Sequence, residues 1–272
     1  IHHYLAARAE LDAPGSPFAT TTEVVRGVPL KVFAACPPNM RVLWESSAGH
    51  GDKDYLVYED ERYTYSEVHA QVRKLAAHLV ANGVHPGSRV AIAMRNYPEW
   101  IMTYVGALAA GAIVVSMNAW WTAEELDYGL EDSGTTVLVA DAERVARTRE
   151  SAARLGIRTI GVRLGDGDTP EGVDRWEDVV EPGATYERPE LGPDDDATIL
   201  YTSGTTGHPK GAVSTHRAVV QALMGFGCKS AIDSLRRPEE ASGRTGAPVF
   251  ILIVPLFHVT GNVPVMLGAM AS

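Results

Sequence analysis

Between Tyr65 and Val162 the apolar positions keep changing period. In "YSEVHAQVRKLAAHLVANG", Val68, Val72, Leu75, Ala76 and Leu79 recur at helical spacing. Thr64 and Glu67 stand at capping-box spacing before that run, and Gly83 suits its C-terminal cap. "RVAIAM" is then continuous and short, as a buried strand is. "PEWIMTYVGALAAG" opens with Pro98 at the first helical position. After the strand-like "AIVVSM", a second capping box, Thr122 with Glu125, opens a helix at "TAEELDYGLEDSG". "TTVLVA" predicts a strand, "DAERVARTRESAARLG" a helix with Asp141 as N-cap, and "IRTIGV" another strand. Continuous apolar strands separated by helices predict an α/β fold, its sheet mainly parallel and covered by helices on both faces.

The pattern then loosens. Leu164 to Asp196 is rich in Gly, Pro, Asp and Glu and predicts a loop-dominated connection with one short helix near "DRWEDVV". "ATILYTSG" predicts a strand, and Ser214 or Thr215 can begin a helix through "HRAVVQALMGF". A polar stretch, "KSAIDSLRRPEEASGRTGAP", leads to "VFILIVPLF", expected to be the strongest strand of the chain. The uncharged run from Trp100 to Met117 has 18 residues, the lower edge of a membrane span. Gly106 and Gly111 interrupt it, and a helix followed by a buried strand accounts for it, so no transmembrane span is expected.

Composition narrows the classes. Of 272 residues, 45% are hydrophobic and 21% charged, with a net charge of −10. Such a surface repels nucleic acid and anionic membranes, and no nucleic-acid partner is expected. Cys36 and Cys228 lie far apart without a CxxC partner, which argues against a disulfide framework or structural zinc and for a reducing, cytoplasmic setting.

The chemistry concentrates in "YTSGTTGHPKG", Tyr201 to Gly211. Gly204, Gly207 and Gly211 allow close backbone approach to an anion and positive φ. Thr202, Ser203, Thr205 and Thr206 add hydroxyl donors, and Lys210 adds a mobile cation in a chain whose only other lysines are Lys31, Lys53, Lys74 and Lys229. A strand, a glycine-rich turn and a helix together present N–H groups to phosphate. A Walker A loop is excluded, because Lys210 follows Pro209 and precedes Gly211 instead of standing between Gly and Ser or Thr.

"YTSGTTGHPKGAVSTH" resembles the phosphate-binding signature of the adenylate-forming superfamily, and "PLFHVTG", Pro255 to Gly261, resembles that family's next motif. "YTYSEV" and "VAIAMRNYPEWIMTYVGALAAGAIVVSMNAWWTAEEL" resemble its N-terminal region in order and spacing, so the resemblance runs from about Arg41 onward. It implies ATP-dependent activation of a carboxylic acid to an acyl-adenylate, then thioester formation with CoA. ATP and Mg²⁺ are the implied cofactors, CoA the co-substrate, and a fatty or alicyclic acid the implied substrate. By that resemblance Thr202, Ser203, Gly204, Thr205, Thr206 and Gly207 wrap the terminal phosphates, Lys210 pairs with them, and Thr202 helps hold Mg²⁺. His258 is implied as the pocket residue beside the acid, with Phe257, Val259 and Gly261 shaping its wall; Lys210 and His258 are the implied catalytic pair.

Full-length members of the family are about twice as long. The chain lacks their downstream aromatic-Gly-x-Thr-Glu motif, ribose-binding Asp and catalytic-lysine lid. The expectation is therefore a fragment of the N-terminal large domain without its C-terminal lid domain, inactive by itself. Residues 1–40 form an N-terminal segment, and 41–272 an incomplete adenylation domain. A first subdomain spans about 65–230, and a second begins at about 248–272, joined by part of 41–62. An incomplete sheet edge would favour a homodimer. Adjacent Trp120 and Trp121 depart from the family pattern and read as packing or interface residues; Tyr97, Trp100 and Tyr104 read as core. Two alternatives stay open: an aryl-acid ligase or peptide-synthetase adenylation domain, and a noncatalytic nucleotide-binding or interaction module.

Overall fold

The computed structural model describes residues 2–180, 185–202, 207–238 and 248–271. Helix α1 (His2–Leu11) and a hairpin, β1 (Thr20–Val25) with β2 (Val28–Phe33), precede α2 (Met40–Ser46). A second hairpin, β3 (Asp54–Tyr58) and β4 (Glu61–Thr64), runs into α3 (Tyr65–Ala81). The alternating region follows: β5 (Arg89–Ala93), α4 (Pro98–Ala109), β6 (Ile113–Ser116), α5 (Ala123–Asp132), β7 (Val137–Asp141), α6 (Ala142–Leu155) and β8 (Arg158–Val162). Then come β9 (Val173–Arg175), α7 (Trp176–Val179), β10 (Asp196–Thr202), β11 (Lys210–Thr215) and α8 (His216–Arg236). A π-helical turn, Gly261–Leu267, and a short helix, Gly268–Met270, close the described chain.

The central sheet has seven strands in the order β11-β10-β6-β5-β7-β8-β9, parallel except for the β10–β11 pair. Strand residues alternate between two cores, as a period of two requires. Val90, Ile92, Val137 and Val139 join α3 and α4 in one core. Ala91, Ala93, Leu138 and Ala140 join α5 and α6 in the other. Helix α4 thus lies on one face and α5 and α6 on the opposite one. The loops leaving β5, β6 and β7 therefore diverge at their carboxyl ends, where open α/β sheets place ligands.

The expected caps are present. Thr64 and Thr122 each accept a backbone N–H from their Glu while that Glu accepts from the cap, and Asp141 accepts from the Arg144 N–H. Thr215 caps α8, which extends through Lys229–Arg236, part of the stretch read from sequence only as polar. Gly111 (φ +83°) turns the chain between α4 and β6, and no described helix is long and apolar enough to cross a membrane. Trp100 and Tyr104 are fully buried and stacked, 5.3 Å between centroids, while Tyr97 packs half-buried at the core's edge.

Two expectations fail. "VFILIVPLF" forms no strand: Val249, Ile251 and Ile253 are 91%, 83% and 83% exposed. A strand needs a hydrogen-bonding neighbour, and no described strand runs beside this one. Asn96 holds the segment instead, donating from Nδ2 to the Val254 carbonyl at 2.9 Å and accepting the Leu256 N–H at 2.9 Å. The phosphate-type motif is not strand–turn–helix either, because β11 intervenes and makes it the connection of a β-hairpin.

The N-terminal segment is tied to the same body. Ala7 packs with Cys228 and Ile232 of α8. Arg217 of α8 pairs with Asp194 at 2.7 Å and with Glu23 of β1 at 2.6 Å.

Candidate functional site

Thr202 ends β10 and Lys210 begins β11; the two are register partners, and the Thr202 hydroxyl donates to the Lys210 carbonyl at 3.4 Å. Both are exposed. Ser203, Gly204, Thr205 and Thr206 lie outside the described residues. Gly207 has φ +99°, with open space where a Cβ would stand. Gly211 plays another part than the one expected of it. It sits in β11 opposite Tyr201 at an ordinary strand φ, and an added Cβ would come within 2.8 Å of Ile199 Cγ2. Packing, not positive φ, calls for glycine there.

Helix α5 braces this hairpin, which the sequence pattern did not reveal. Tyr201 donates to Asp132 Oδ2 at 2.7 Å, and its ring stands edge-on to Trp121, 5.4 Å between centroids. Burial, with Asp132 beside it, pushes the Tyr201 phenol up, so it stays a donor. Tyr128 lies nearly parallel to His208, 4.8 Å between ring centroids, and donates to the Pro209 carbonyl at 3.2 Å. Helix α5, its start fixed by a capping box, thus holds β10 at Tyr201 and the chain just before β11 at His208 and Pro209. Trp121 is buried as expected, whereas Trp120 is 61% exposed.

A buried ion pair organises the sheet's carboxyl edge. Arg144 is 1% exposed, pairs with Asp141 at 3.1 Å and donates from Nε to the Ala119 carbonyl at 2.8 Å. Asp141 also accepts the Arg95 N–H at 3.1 Å. The loops after β5 and β6 and the start of α6 are therefore stitched together. A capping Asp was legible at that position; a buried Arg three residues later was not, since charge in sequence reads as surface.

The second motif reaches the same edge through Asn96. Phe257 stands edge-on to Trp120 at 5.2 Å, and both line a cavity of about 280 Å³ together with Arg95, Asn96 and Tyr97. Val259 lines a different cavity, of about 210 Å³. His258 is exposed, and its Nδ1 accepts the Thr260 N–H at 3.3 Å. Gly261 is buried where an added Cβ would stand 2.4 Å from the Pro255 carbonyl oxygen. The proposed wall residues are thus divided between two cavities, with His258 on the turn between their lining residues Phe257 and Val259. Among the described residues no group of three or more His, Cys, Asp or Glu side chains could hold a metal ion.

The chain is similar to known proteins in sequence and in fold. Residues 43–272 match the AMP-binding enzyme family. Over 212 residues the chain is 31% identical to 4-coumarate–CoA ligase 3 of Oryza sativa subsp. japonica, covering 78% of this chain and 36% of that protein. It is 32% identical over 214 residues to the medium/long-chain-fatty-acid–CoA ligase FadD6 of Mycobacterium tuberculosis, covering 77% and 35%. The crystal structure of the N-terminal domain of FACL13 from Mycobacterium tuberculosis matches with a TM-score of 0.64 and 28% identity, covering 86% of this chain and 56% of that one. The chain spans little more than a third of these two curated relatives.

Proposed function

We propose that this chain, which belongs to the AMP-binding enzyme family, contributes the phosphate-binding and acid-binding parts of an acid–thiol ligase. The reaction is ATP-dependent activation of a carboxylic acid to its acyl-adenylate, followed by transfer of the acyl group to CoA. The carrying observation is the braced hairpin. Tyr201 fixes the end of β10 and Tyr128 fixes the chain just before β11, and the glycine- and hydroxyl-rich stretch of the sequence lies between an exposed Thr202 and an exposed Lys210.

A carboxylate attacking the α-phosphorus approaches a polyanion, so the protein must hold the partners in line and offset charge. Lys210, paired with no described acid, is free to meet the β- and γ-phosphates, and the hydroxyl and N–H donors of residues 202–207 would cradle the leaving pyrophosphate. Magnesium takes few protein ligands when phosphates supply the rest. One exposed hydroxyl, Thr202, suits such an ion; bound there, it would offset phosphate charge. His258 would orient the acid's carboxylate from the turn between the two cavities. We assign the acid to the alkyl or alicyclic class and the reaction to the cytoplasm. The two cysteines, Cys36 and Cys228, are free, as a reducing compartment keeps them.

The test is acid-dependent ATP–pyrophosphate exchange by the natural full-length protein and its Lys210→Ala variant. Exchange should fall by about a hundredfold, as when one transition-state donor is removed, with the unfolding temperature unchanged because Lys210 is exposed. Full exchange by the variant removes Lys210 from the mechanism.

A further inference from the structure

On the face of the sheet that α5 and α6 cover, α6 is the last described helix, and β9 lies beyond it at the edge. A cavity of about 400 Å³ lies there, between α6, the start of β8 and residues 171–173. Four strand spacings of about 4.8 Å separate β8 from β10, so the cavity stands apart from the phosphate-type hairpin. Val145, Ala152 and Ile157 give it apolar walls, and Gly156 leaves open space where a Cβ would stand. Pockets for small organic molecules begin at about 300 Å³, so the space suits one. Three polar side chains line it, and the fold satisfies none of them. Thr159 faces α6, because Ile160 and Val162 on the same strand fill the opposite core. It is 4% exposed, its hydroxyl has no partner among the described residues, and that hydroxyl still opens onto the cavity. Its register partner is Val173, which sets it beside Glu171 and Gly172. Arg149 and Glu171 are exposed at the rim, and among the described residues Arg149 pairs with no acid and Glu171 with no base. Folded proteins seldom leave a buried hydroxyl unmet, and here it stands with an unpaired cation and an unpaired anion around one space.

We propose that this cavity is a second ligand site, for a compact zwitterion: one carboxylate, one ammonium group and a short apolar body, as in an aliphatic α-amino acid. Arg149 meets the carboxylate, which its planar fork suits. Glu171 meets the ammonium group. The Thr159 hydroxyl both donates and accepts, so it serves either group, and the apolar walls take the body. A zwitterion has no net charge, so the protein's −10 does not repel it as it would repel a simple anion. Helix α6 also connects the site to the sheet's carboxyl edge, because its Arg144 and Arg147 hold the Ala119 and Trp121 carbonyls, each at 2.8 Å. The proposal stands on this cavity and does not depend on the ligase reading.

The test is isothermal titration calorimetry on the natural full-length protein with L-leucine, 4-methylpentanoate and 3-methylbutylamine. Leucine should bind saturably. The other two each lack one of its charges and should bind about tenfold more weakly or less, since a hydrogen bond to a charged group is lost. Arg149→Gln and Glu171→Gln should each weaken leucine by about tenfold and, because both residues are exposed, leave the unfolding temperature unchanged. Arg149→Gln should not weaken the amine further, nor Glu171→Gln the 4-methylpentanoate. Thr159→Val keeps the shape and should weaken leucine several-fold (~3–10), as loss of one neutral hydrogen bond does. The proposal is overturned by no saturable leucine binding, by analogues that bind as tightly as leucine, or by leucine binding that all three variants keep. A carboxylate held at the acid site of the proposed ligase would bind equally in every variant, and pyrophosphate exchange reports on that reading separately.

Discussion

Two residue-level features carry consequences that chemistry alone decides. Gly261 approaches backbone: the Pro255 carbonyl is fixed by the His258 N–H at 3.1 Å and cannot swing aside as a side chain would. Gly261→Ala should therefore cost about 1–3 kcal/mol as an overpacking change, measured by urea denaturation; an unchanged midpoint would mean that the turn is looser than described. The buried histidines set a pH dependence. His216 accepts the Met40 N–H at its Nδ1, and His69 stacks on Trp44 with 3.8 Å between centroids; desolvation holds each at a pKa of about 4. Unfolded, each titrates near 6.5. The unfolded chain therefore binds more protons between those values, so this stability is complete above pH 6.5 and is lost as pH falls towards 4. Asp12, held at about 2, acts below that window, whereas Glu61 and Glu67, held below the ordinary glutamate value by their hydrogen bonds, add to the loss at its acid end. Melting temperature should drop between pH 6.5 and 4.5, and the His69→Gln/His216→Asn double variant should show a flatter slope there.

At the scale of elements, what could be read in advance was whatever local chemistry decides. Thr64 with Glu67 and Thr122 with Glu125 formed their boxes because both partners lie within one turn. Of the six parallel strands, β5, β6, β7, β8 and β10 were legible because burial makes them largely apolar, whereas the short, half-buried β9 was not. What failed depended on distant partners. "VFILIVPLF" has strand composition but no described neighbour to pair with, and β11 was hidden because "KGAVST" is too polar to announce a strand that only β10 requires. The clamp of α5 on the hairpin was invisible for the same reason, since Tyr128 and Pro209 are 81 residues apart. The clamp is itself testable. Tyr128→Phe keeps the ring on His208 but loses the bond to Pro209; Tyr128→Ala loses both. If the clamp positions the hairpin, then on the proposed ligase reading the full-length protein's KM for ATP should rise several-fold (~3–10) in the alanine variant and less in the phenylalanine one, with kcat nearly kept. Equal effects on kcat in both would assign Tyr128 a different role.

At the scale of the whole molecule, the distribution of apolar surface is uneven. Most of the described hydrophobic residues fill two cores, one on each face of the sheet. Against that background Val249, Ile251 and Ile253 project almost fully exposed, while Leu252 packs against the core between them. An extended segment with apolar residues on both sides and no described strand beside it is the kind of edge that soluble proteins cover or charge. The net charge of −10 resists association at long range but is screened beyond about 10 Å at 0.1 M salt, so it does little to oppose contact at this row. The 272-residue chain should therefore self-associate reversibly, more strongly as salt rises, through residues 249–253. Sedimentation velocity on the chain at low and high salt checks this, and an Ile251→Lys/Ile253→Lys variant should sediment as a monomer under both conditions. A variant that still associates would place the contact on another face, such as the exposed side of the β1–β2 hairpin around Val24 and Val28.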